Sequence, residues 1–186
     1  MRGRSLRVQR MKKEHTLIGM FGALWGLAGV FSLLGSATYR LTPLAIDAFS
    51  YEFAWQHWLS LVVIVLGMAY AEGYKGFQKA FSPRVAARSR YLREHPRPLL
   101  VLLAPFFCMG YFHATKRRRI TSISLTLGII ILIVVVRFIA QPWRGIIDAG
   151  VVVGLAWGII SLVIYSAKAL GSETFNYSPE VPEGDQ

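Results

Sequence analysis

Pro98-Leu-Leu-Val-Leu-Leu-Ala-Pro105-Phe-Phe-Cys-Met-Gly110-Tyr-Phe-His-Ala-Thr115-Lys-Arg-Arg-Arg119 decides how this chain is folded. The first eighteen residues are apolar enough to enter a membrane, but three features work against a straight helix. Pro98 and Pro105 each lack a backbone donor, and Gly110 weakens the helix near its end. Four consecutive cations then follow, Lys116 to Arg119, before the next apolar run. If 98–115 crossed, these cations would sit in a short external turn, against the rule that positive charge stays on the cytoplasmic side. The segment is therefore expected to be re-entrant or interfacial. Five crossing helices are the alternative.

Outward from this stretch the remaining apolar runs are regular. They cover 17–37, 53–71, 120–140 and 146–169, each near the twenty residues that a helix needs to cross the hydrocarbon core. The run at 17–37 follows a basic head, as a signal peptide would, but it is longer than a cleaved signal core. It is read as an uncleaved span. Trp55 and Trp58 fit an interfacial aromatic belt, with His57 between them. The expected fold is an all-α integral membrane protein. Four transmembrane helices form two hairpins, and one proline-broken segment lies between them.

Charge sets the orientation. The chain carries 21 Lys and Arg against 10 Asp and Glu, a net charge of +11. With four spans, the cytoplasmic side receives Arg2, Arg4, Arg7, Arg10, Lys12 and Lys13; seven cations in 72–97; Lys116 to Arg119; and Lys168, which makes 18 of the 21. Both termini are then cytoplasmic. Compact loops and this asymmetry point to a bacterial inner membrane, with an organelle membrane as the alternative. The layout is a basic N-terminus at 1–16, a single transmembrane domain at 17–170 and an acidic, disordered tail at 171–186. Within the domain, 72–97 is a basic connector and 98–115 the re-entrant segment. Ser82-Pro83 reads as a helix start. The helix to Glu94 would be weakly amphipathic and strongly basic, suited to the headgroup layer.

Composition excludes several functions. Hydrophobic residues make up 54% and charged residues only 17%, which rules out a soluble enzyme or a basic disordered tail. The cations hug the span ends, as membrane orientation and anionic lipid already require, and no nucleic-acid module lies among them. The single cysteine, Cys108, cannot build a disulfide or a thiolate metal site, and its apolar neighbours suggest a buried, inert thiol. No metal-ligand spacing, phosphate loop, nucleophile elbow or dinucleotide fingerprint occurs, so no metal or cofactor is expected.

Three groups of residues remain as candidates. Lys75, Lys79, Arg84, Arg88, Lys116, Arg117, Arg118 and Arg119 are read as an anionic-lipid site. Gly22 and Gly26, and Gly150, Gly154 and Gly158, are spaced by four and put a side-chain-free face on their helices, for packing within the chain or in an oligomer. Glu72 and His113 are the weak catalytic candidates. Glu72 is expected to pair with Lys75 at i+3. Arg137 is expected to snorkel outward or pair with Asp148 or Asp47. The favoured function is a non-enzymatic accessory or scaffold subunit whose basic cytoplasmic face binds anionic lipid or an acidic partner. The alternatives are a small transporter or channel lined by 98–115, or a lipid-modifying enzyme using Glu72 or His113.

Overall fold

The computed structural model describes residues 2–172 and 174–182, with side chains from Thr16 onward. The six cations of the basic head lie outside the described side chains. The described chain is all-helical: α1 (Arg2–Asp47), α2 (Trp55–Met68), a π-helical segment (Ala69–Phe81), α3 (Ser82–Glu94), α4 (Pro98–Leu102), α5 (Ala104–Met109), α6 (Lys116–Val136) and α7 (Trp143–Gly171). Four helices are long and apolar enough to cross a membrane: Thr16–Ser50, Trp55–Glu94, Lys116–Val136 and Trp143–Gly171. This is an integral membrane architecture.

Residues 98–109 do not add a fifth crossing helix. Leu103 leaves helical geometry (φ −100°, ψ 27°), and Gly110 ends α5 in the left-handed region at φ 84°. Even in line, twelve residues would span about 18 Å, well short of the roughly 30 Å hydrocarbon core. The segment instead packs along α1. Val101 packs at Gly22, Ala104 and Cys108 at Gly26, and Pro105 at Gly29. The carbonyls of Phe112 and His113 then accept from Arg88 on α3.

The connector 72–97 differs from its expected form. The helix runs unbroken from Trp55 to Glu94, and Ser82 is inside it (φ −60°, ψ −46°) with no capping hydrogen bond. A proline at position 83 lacks an N–H and its ring crowds the carbonyl four residues back. The chain absorbs this by widening into a π-helix before it, where the Ser82 N–H reaches back five residues to Phe77 O. Nor is α3 an exposed surface helix. Val85, Ala86 and Leu92 are fully buried, because small residues at 86, 87 and 89 let α3 press against α1, α5 and α7.

The helix pairs also depart from two simple hairpins. α7 is the hub: it packs on α1, on α2 with its π-helical extension, and on α3. Glycines set these contacts. Gly145 meets Leu44 of α1 and Ala48 just past its end; Gly150 meets Ile64 and Met68; Gly154 meets Glu72; and Gly158 meets Phe77. α2 and α7 thus run parallel, while α1 runs antiparallel to α7. Neither α1 with α2 nor α6 with α7 forms an extended interface among the described residues. Association in lipid rewards close backbone approach rather than nearness in sequence.

The tail also departs from the expected disordered segment. Val181 is fully buried and joins the core cluster with Val85, Leu92, Phe107 and Leu162. The acids at 173, 183 and 185 lie outside the described residues.

Candidate functional site: the basic end of the bundle

Seven of the eight candidate cations separate into two populations, and Arg84 is half-buried between them. Arg88 and Arg118 face inward. Arg88 is only 1% exposed, and its Nε donates to Phe107 O (2.6 Å). Its Nη1 donates to Pro179 O (2.7 Å), and its Nη2 to Phe112 O (3.0 Å) and His113 O (2.8 Å). The guanidinium also stacks on the Phe107 ring at 4.1 Å. A buried cation is tolerated when its donors are satisfied, and the turn after α5 supplies the Phe112 and His113 carbonyls, which no helix uses. Arg88 therefore acts as a lock on that segment rather than as a lipid ligand, which corrects its sequence-based assignment. The sequence signal was its setting between Ala86, Ala87 and Ser89, residues too small to cover an exposed helix face.

Arg118 is 8% exposed and faces Glu180 at 3.8 Å; Arg84 reaches the same carboxylate at 3.5 Å. Two more arginines hold the end of α7. Arg90 donates to Ser172 O (2.9 Å) and Arg93 to Leu170 O (2.8 Å), satisfying carbonyls that a helix C-terminus leaves open.

Lys75, Lys79, Lys116, Arg117 and Arg119 form the second population and are exposed. Lys75 lies over the Tyr70 ring at 4.8 Å and Lys79 over Tyr74 at 4.6 Å. Both are five-residue steps, which stack only because the backbone here is π-helical. The same geometry removes the expected Glu72–Lys75 ion pair, since i+3 no longer shares the face. Glu72 instead turns toward α7, with its side chain against Gly154.

His113 sits in the left-handed region at φ 47°, its ring 6.1 Å from Phe107 and its carbonyl committed to Arg88. Glu72 and His113 thus occupy different elements and do not converge on one site. Cys108 is fully buried against Gly26, and burial pushes its thiol up to about 12. No group of three His, Cys, Asp or Glu side chains gathers among the described residues.

At the opposite end, Arg137 is exposed at the end of α6. Asp148 pairs with Arg144 at 3.7 Å, and Asp47 accepts from Gln141 Nε2 at 3.1 Å, so both expected acids are engaged elsewhere. His57 caps α2 by accepting the Ala54 N–H on Nδ1 (3.1 Å), and its ring meets Trp143 at 4.7 Å. Two open, apolar grooves of about 610 and 590 Å³ lie on the bundle surface. Ile18, Phe21 and Trp25 line the first; Gln78, Trp157 and Tyr165 line the second. Neither is lined by Glu72 or His113. No family model matches this chain, and neither a curated protein nor a solved structure does.

Proposed function

We propose that this protein is a non-enzymatic accessory or scaffold subunit of a membrane, whose basic inner face holds anionic lipid headgroups. The supporting observation is the division of the cations. Arg88 is spent on backbone carbonyls inside the bundle, whereas Lys75, Lys79, Lys116, Arg117 and Arg119 remain exposed. Exposed cations near the membrane surface each gain about 1 kcal/mol from an anionic leaflet. In this reading 98–115 enters the bilayer from the inner side and returns, both termini are cytoplasmic and the host is a bacterial inner membrane. Three carbonyls of that segment accept from Arg88, which favours a structural segment over one whose open backbone lines a transport path.

The test compares full-length protein in nanodiscs of neutral and anionic lipid, reading lipid retained after extraction. Wild type is expected to enrich anionic lipid. Changing Lys116, Arg117 and Arg119 together to Gln removes roughly 3 kcal/mol of attraction, about 100-fold, and enrichment should collapse as salt rises. Equal retention of neutral and anionic lipid would overturn the proposal. Labelling of Lys116→Cys from the external side would overturn the orientation.

A further inference from the structure

The C-terminal segment is held by more than tail packing requires. Residues 179–181 meet three kinds of recognition at once. Their backbone is read by Arg88 Nη1, which donates to Pro179 O (2.7 Å), and by the Thr115 N–H, which donates to Glu180 O (3.0 Å). The Glu180 carboxylate lies between Arg84 and Arg118. Val181 fills an apolar hole and is fully buried. Main-chain contacts supply affinity and alternate side-chain pockets supply specificity, as in recognition of short peptides generally.

The resident fits imperfectly. Neither arginine closes to a hydrogen bond on Glu180: the separations are 3.5 and 3.8 Å. Arg118 Nε is buried without a hydrogen-bond partner, although the residue is only 8% exposed. Glu180 also holds φ +50°, a left-handed conformation that is costly for a residue with a Cβ. The tether from the end of α7 limits how the segment can seat. An untethered peptide with the same Glu-Val pattern could relax the backbone and let its carboxylate close on both guanidinium groups.

We propose that Arg84, Arg88, Thr115 and Arg118 form a binding site for an acidic–apolar peptide segment of a partner protein, with residues 179–181 as the resident occupant that the partner displaces. The site is separate from the exposed cations assigned to lipid, and it stands or falls without them.

The experiment uses the full chain in neutral detergent, which keeps lipid out of the outcome. A nitroxide is placed on Pro182→Cys, an exposed position beside Val181; buried Cys108 stays unlabelled. The probe is a synthetic peptide with the sequence of residues 176–186. The free chain should show an immobilised label, and the peptide should make it mobile in a saturable way. Peptides carrying the Glu180→Gln or Val181→Asp change should need concentrations about 10-fold higher or more, the loss expected for a charge-assisted hydrogen bond. A second arm uses full-length E180Q/V181D, which should bind dye-labelled peptide about 10-fold tighter than wild type because its resident is weakened. A label mobile from the start, no response to peptide, or an equal response to a scrambled peptide would overturn the proposal. Mobility that rises with protein concentration alone would assign the socket to a second copy's tail and overturn the partner.

Discussion

α6 and α7 are near equals in hydropathy and opposites in packing. Both are strongly apolar, yet 11% of the apolar stretch of α6 is buried against 44% of that of α7. The difference follows from small residues. α7 carries Gly145, Gly150, Gly154 and Gly158, each with a neighbouring helix close enough that a Cβ would crowd it. α6 has Gly128 alone, with open space around it. From Leu127 to Val135 its large side chains all point outward. It is tied to the bundle near its start, where Ser122 donates to Met109 O (3.0 Å) and Tyr111 shares a hydrogen bond with Thr126 (2.6 Å). Hydropathy therefore reports that a helix can enter lipid. Glycine spacing reports whether it will be held there by its own chain.

Four measurements test this division. The largest effect is expected at Arg88, which belongs to the packed side through the carbonyls it serves. Arg88→Met strands several of them at about 1–3 kcal/mol each, so a loss of roughly 3–5 kcal/mol is expected in reversible unfolding. Arg119→Met, on the exposed side, should stay within about 0.5 kcal/mol. Equal losses would erase the distinction between the two cation populations.

Next comes a pair of truncations. Leu162→Ala removes a fully buried side chain of α7 and should cost about 2–5 kcal/mol. Leu125→Ala, exposed on α6, should cost under about 1 kcal/mol. A heavy penalty at Leu125 would mean that α6 has a partner surface in the membrane.

The glycine comparison is more direct and somewhat smaller. A Cβ at Gly158 would come within 2.6 Å of the Phe77 ring, so Gly158→Leu should lower stability by about 1–3 kcal/mol through overpacking. Gly128→Leu meets nothing and should be neutral or slightly stabilising, since Gly is a poor helix former. The melting temperatures of the two variants, measured side by side, decide it.

The smallest signal is expected at Cys108. Its ionisation is raised to about 12, so its thiolate is scarce at pH 8 and appears only on approach to that value. Maleimide should leave the folded chain unlabelled at pH 8 and label it fully in denaturant. Rapid labelling of the folded protein would show that α5 does not pack on Gly26 as described.

Much of the site was hidden in the sequence for a physical reason. The eight cations were legible as a basic end, but their individual fates depended on neighbours far along the chain. Arg88 and Arg84 differ by four residues on one helix, and only the return of 112–113 and the docking of 179–181 separate them. The Glu72–Lys75 pair was a sound expectation for an α-helix and failed because the backbone is wound differently there. No local rule reads a π-helix from the sequence around Pro83.

By itself the sequence determined a membrane protein with four crossing helices, its small-residue faces and a basic end. Those depend on apolar run length, glycine spacing and charge placement, which are properties of each segment alone. Tertiary structure decided which faces meet, which arginines are consumed and where the tail rests. These depend on contacts between segments distant in the chain, where a single carbonyl or carboxylate determines whether a buried cation is satisfied.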